Sequence, residues 1–140
     1  MRFWDSSALI PLLIREATSD DLRRLLAADV EIAASFITTL EVASALWRRH
    51  HNDELSADEH AAADDAFEKL NESWSEIGDF FDAREVALEL ITRHVMRSGD
   101  AIQLASALIA CAYDPTSLTF VTLDQDLASV ARAEGFTVLP

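Results

Sequence analysis

Residues 118–127 read LTFVTLDQDL, and the change of pattern inside them decides the fold. The first five residues are β-branched or apolar and make the best strand in the chain. The pattern breaks at Asp124, after which helical spacing runs to Glu134 and Gly135 marks the stop. A strand that hands over to a helix through a carboxylate is therefore the local unit. It recurs near the N-terminus, where residues 2–5 form a short apolar strand ending on Asp5, with Ser6 and Ser7 available to cap the next helix.

Working outward, strand and helix alternate along the whole chain. Residues 18–28 open with Thr-Ser-Asp-Asp and carry Leu22, Leu25 and Leu26 on one helical face. Residues 31–35 read as a second strand, and Thr38 or Thr39 caps a helix running to about His51. Ser56 and Glu59 have capping-box spacing and start a helix to about Asn71, followed by a weak strand at 73–77. Residues 82–97 form an amphipathic helix, 100–112 a buried Ala- and Leu-rich one, and 136–139 the closing strand. This alternation predicts one α/β domain over residues 1–140, with a mostly parallel central sheet and helices on both faces.

Composition narrows the function classes. Half of the 140 residues are hydrophobic, with three Gly and three Pro, which indicates a folded, helix-rich domain. The longest apolar run, residues 8–14, is too short to span a bilayer, and the opening residues do not read as a secretory leader. The single cysteine, Cys111, lies in an apolar helical pattern and reads as a reduced, buried thiol, so a cytoplasmic location without membrane contact is expected. A net charge of −14 argues against tight nonspecific binding to nucleic acid and favours a basic partner or a metal.

The acids Asp5, Glu41, Asp100 and Asp124 all stand where a strand gives way to a helix or in the helix's first turns. Each has a local explanation as a cap or a helix-dipole partner, and Thr38 with Glu41 also has capping-box spacing. In an open α/β sheet, however, the carboxyl ends of the strands share one edge, so acids at these junctions converge on one crevice. Like charges gathered there need protonation, hydrogen bonds or a cation, and an all-oxygen site suits Mg²⁺ or Mn²⁺. Asp126 follows as an outer candidate, and Ser6 and Thr122 as groups that orient water or bind a phosphate oxygen.

The ordered set Asp5-Ser-Ser, Thr38-x-x-Glu41, Asp100-Ala-x-x-Leu-Ala and Thr122-x-Asp124 resembles the PIN domain family, and more narrowly its VapC-type toxins. The resemblance implies a three-layer α/β/α PIN fold and a Mg²⁺- or Mn²⁺-dependent endoribonuclease whose metal ligands fall on Asp5, Glu41, Asp100 and Asp124. It also implies a homodimer inhibited by a small cognate antitoxin. Two features depart from the pattern: Gln103 stands where many relatives have His, and basic residues are few. A PIN nuclease without an antitoxin and a silent metal- or RNA-binding module are the alternatives.

Other families fit less well. An adhesion-type metal site wants DxSxS, and Leu9 occupies its fifth position; receivers need a late Lys, and the only one, Lys69, lies in a helix; haloacid-type phosphatases need a second Asp where Ser7 stands. Among the basic residues, Arg15 is the expected phosphate contact, ahead of Arg48 and Arg49. His50, His51 and His94 read as helix-end or packed residues, and Trp4, Trp47 and Trp74 as core or interface residues.

Overall fold

The strands are β1 (Arg2–Trp4), β2 (Ile32–Ser35), β3 (Ser75–Ile77), β4 (Thr119–Val121) and β5 (Thr137–Leu139). In a computed structural model describing all 140 residues, they pair in the order β3-β2-β1-β4-β5. All four pairings are parallel, so the sheet has no antiparallel member. Between the strands run α1 (Ser6–Leu13), α2 (Ser19–Ala28), α3 (Thr38–His51), α4 (Ala57–Asn71), α5 (Phe80–Arg93), α6 (Ser98–Ala110) and α7 (Gln125–Ala133). None of these helices is long and apolar enough to cross a membrane.

Strand alternation divides the core into two layers. Phe3, Ala33 and Phe120 face α5, α6 and α7, where Leu90, Leu104, Leu108 and Leu127 complete one cluster. Trp4, Ile32, Ala34 and Val121 face the other way, onto Leu9, Leu22, Val42, Leu46 and Phe67 of α1 to α4. The sheet is therefore covered on both faces, as an all-parallel sheet requires. Phe3 and Phe120 are adjacent in register and their rings stack at 5.3 Å between centroids. Phe120→Ala should cost about 3–5 kcal/mol, read as a lower midpoint in urea unfolding.

Three local expectations are corrected. The helix expected over 82–97 starts at Phe80 and ends at Arg93, because His94 leaves the helix with an extended backbone and meets Glu134 at 2.6 Å. Glu134 also holds Arg93 at 3.0 Å, so the end of α5 is tied to the end of α7. Helix α1 is capped by Asp5 rather than by the serines. Thr38 is the first residue of α3, not its side-chain cap, and the Thr38–Glu41 capping box does not form.

Candidate active site

The strand order places β1 between β2 and β4, so the chain leaves β1 on one side and returns on the other. The carboxyl ends of β1 and β4 therefore flank the point where an open parallel sheet forms its crevice. Asp5 directly follows β1, and its N–H donates to the carbonyl of Val121 at 2.9 Å, prolonging the pairing with β4. Its Oδ2 accepts from the Ser7 N–H at 3.1 Å, from the Ser7 hydroxyl and from the Thr122 hydroxyl at 3.0 Å. The side chain is only 4% exposed. Burial pushes the Asp5 carboxyl above the ordinary carboxylate range, and the hydrogen bonds from Ser7 and Thr122 offset only part of that.

Asp124 is both the strand-end acid and the cap of α7. Its Oδ1 accepts from the N–H groups of Asp126 and Leu127, both at 2.9 Å, which leaves Oδ2 without a hydrogen bond. Its own N–H donates to Thr122 Oγ1 at 3.0 Å. Thr122 thus joins Asp5 to Asp124, and Ser7 adds a second tie by accepting from the Leu123 N–H at 3.0 Å. With 1% exposure, Thr122 is a strut between two acids rather than a surface group facing water. Ser7→Ala removes the second tie and leaves a part-buried N–H without its acceptor. It should cost about 1–3 kcal/mol in thermal unfolding.

Glu41 and Asp100 come from the first turns of α3 and α6. Freed from a capping box, Glu41 accepts from Gln103 Nε2 at 2.6 Å, and the same nitrogen donates to Thr38 Oγ1 at 3.0 Å. Burial holds the Glu41 carboxyl above its ordinary range; the bonds from Gln103 and Ser6 oppose this, while Asp5 and Asp100 add to it. Asp100 lies in the first turn of α6 but does not cap it, since Arg97 holds the cap position. Its carboxyl is also raised, first by burial and then by repulsion from Asp124 and Asp5, with Arg97 acting against them.

The surface here is a pair of adjoining hollows that share Arg97 and Asp124. One also includes Ser6, Ser7, Glu41 and Arg48; the other includes Asp100 and Asp126. A larger hollow at Met1, Val30, Ile32 and Ser75 lies at the amino ends of the strands, away from these acids. Arg48 and Arg97 make no ion pair, unlike Arg15, which pairs with Asp20 at 3.0 Å. Arg15 lines a separate hollow with Leu13, Leu55 and Glu59, so the structure does not bring this expected phosphate contact to the acids. Ser6 lies at the site, and Asp126 is an exposed neighbour whose N–H serves the Asp124 cap.

Sequence reasoning gave no site role to Ser7, Arg97 or Gln103. Ser7 was legible as a helix start within the Asp5-Ser-Ser motif, and Gln103 only as a departure from the position where many relatives have His. Arg97 sat inside the segment assigned to helix, whereas the break at His94 returns the chain to the crevice.

The donor set can be tested against a metal by its chemistry. The four acids contribute carboxylate oxygens only, and neither hollow contains His or Cys. As they stand, no three such side chains close around a single point. Three of the four nevertheless have raised carboxyl pKas and repel one another, and a hard divalent cation offsets that repulsion. The residues fit such an ion.

The sequence model of the PIN domain matches residues 2–133, and the chain belongs to the PIN domain family. Its fold is similar to that of a toxin–antitoxin complex from Klebsiella pneumoniae, with 20% identity, a TM-score of 0.69 and 100% and 97% of the two chains covered. FitAcB from Neisseria gonorrhoeae is similar at 14% identity and a TM-score of 0.70, again covering 100% and 97%. VapC20 from Mycobacterium tuberculosis, a sarcin–ricin loop cleaving toxin, is similar at 22% identity and a TM-score of 0.68, with both chains covered in full. A comparison with curated proteins finds no match.

Proposed function

We propose that this chain is a divalent-cation-dependent endoribonuclease acting as the toxin of a toxin–antitoxin pair. One observation carries the reading: Asp5, Glu41, Asp100 and Asp124 arrive from separate elements at one edge of the sheet, where burial disfavours the charge on Asp5, Glu41 and Asp100 and neighbouring acids add to it at Glu41 and Asp100. Structural roles alone do not explain that expense, since Glu41 and Asp100 cap no helix.

These four side chains would hold Mg²⁺ or Mn²⁺, which when bound lowers the pKa of water and stabilises charge on a phosphodiester. The chain's own part is to fix the oxygens. Thr122 and Ser7 hold Asp5 at Oδ2, the α7 cap occupies Oδ1 of Asp124, and Gln103 holds Oε2 of Glu41. Arg48 and Arg97, without ion pairs, are the cationic side chains beside the acids that can meet RNA phosphates. The net charge of −14 makes unaided RNA binding unfavourable elsewhere on the surface.

The antitoxin assignment is supported by similarity to the Klebsiella pneumoniae toxin–antitoxin complex, and the acidic surface suits a basic partner. Phe80, Phe81, Leu88 and Ile91 are exposed on α5, an apolar stripe consistent with the proposed homodimer. Incubation of the purified chain with tRNA and rRNA fragments tests the activity. Cleavage should require Mg²⁺ or Mn²⁺, stop in excess EDTA and return when Mn²⁺ is added back. Cleavage that persists in EDTA, or no cleavage with either ion, contradicts the proposal.

A further inference from the structure

We propose that Gly99 and Gln103, four residues apart on α6, are positioning residues that set the carboxylate of Glu41 for cation binding. The proposal rests on the reading of Glu41 as a cation-holding side chain. Positions four apart lie on the same helix face, so both residues can address one group on α3. They do so at different oxygens. Gln103 Nε2 donates to Oε2 at 2.6 Å, while a Cβ placed on Gly99 would lie 2.9 Å from Oε1.

Two further observations show that this arrangement is not ordinary packing. Gly99 is inside the first turn of α6 and its backbone is outside the left-handed region, so no turn geometry demands glycine there. The helix alone would be better served by Ala. What an added methyl group would meet is Glu41 Oε1. Gln103, in turn, is 1% exposed, and its Oε1 is buried with no hydrogen-bond partner. Leaving that oxygen unpaired is unfavourable. Turning the amide over would set its oxygen against the Glu41 carboxylate. The acceptors at Glu41 and Thr38 therefore dictate the amide's orientation.

The contact with Gly99 involves the far end of a flexible side chain, so Gly99→Ala should move the Glu41 carboxylate without disturbing the backbone. Mn²⁺ titration of the full chain by calorimetry and electron paramagnetic resonance tests this. Gly99→Ala should keep or raise the thermal midpoint while weakening Mn²⁺ affinity about 10–100-fold, the range for groups that orient a ligand. Gln103→Leu should weaken affinity in the same range. In a Glu41→Gln background, Gly99→Ala should have no further effect.

Wild-type Mn²⁺ affinity in Gly99→Ala overturns the proposal, as does an equal loss from Gly99→Ala with and without Glu41. If the wild type binds no Mn²⁺, or Glu41→Gln binds it unchanged, the cation role of the site or of Glu41 fails first and the proposal falls with it. If Gln103→Leu does not fold, Gly99→Ala alone decides.

Discussion

Asp100→Asn is expected to lower RNA cleavage by about two orders of magnitude or more, the scale on which removing one charge-stabilising group slows a catalytic site. In the cation-free protein the same change should leave thermal stability unchanged or raise it. Asp100 neither caps α6 nor forms an ion pair, and its favourable contact is confined to the backbone and charge of Arg97. The variant loses a carboxylate disfavoured by burial and by repulsion from Asp124 and Asp5. Cleavage assays beside thermal unfolding, with and without Mn²⁺, separate the two effects. Retained cleavage, or loss of both activity and fold, contradicts the role assigned to Asp100.

The second large effect is a cation-dependent change in how stability varies with pH. Asp5, Glu41 and Asp100 have folded-state pKas above their ordinary values. Their contribution to stability is full below the ordinary carboxylate range and is lost as pH rises through the raised folded values. Asp29, hydrogen-bonded to the N-terminal amine, and Glu59, holding the backbone at Ser56, have lowered pKas and act in the opposite sense. Their contribution is present above the ordinary range and lost as pH falls through the lowered values. Glu59 is exposed and Asp29 part-exposed, so both are screened by solvent and their effect is small.

The cation-free chain should therefore be most stable at mildly acidic pH and lose stability toward neutrality, with the net charge of −14 adding to the trend. Mn²⁺ should remove most of that decline. At a free concentration about a hundred times its dissociation constant, an ion bound only to the folded state adds about 2.7 kcal/mol. Urea titrations across the pH range, with Mn²⁺ and with EDTA, give the measurement. A decline that Mn²⁺ does not alter would show that the acids are not its site.

The alternating pattern was enough to place every strand and to predict parallel pairing, because strand faces and helix faces both carry clear periodicity here. Phe3 and Trp4 already show the two-sided burial in adjacent residues. The end of α5 was less legible. Residues 94–97 continue a helical spacing, and the break depends on His94 meeting Glu134, forty positions away, which no local pattern encodes. The four acids were legible because strand order turns scattered positions into neighbours. The strut roles were not, although Thr122 was placed at the site, since Ser7, Thr122 and Gln103 act through contacts 62 to 117 residues apart. Arg15 misled for the same reason: its nearness to α1 in sequence says nothing about the side of the helix on which Asp20 captures it.

The central claim is that these four carboxylates form one divalent-cation site. Anomalous diffraction at the manganese edge from crystals of the full chain grown with Mn²⁺ tests it most directly. The account predicts a manganese peak within coordination distance of carboxylate oxygens from Asp5, Asp100 and Asp124, with Glu41 in the same cluster. No peak among these acids at millimolar Mn²⁺, or a peak only at other acidic surfaces, contradicts it.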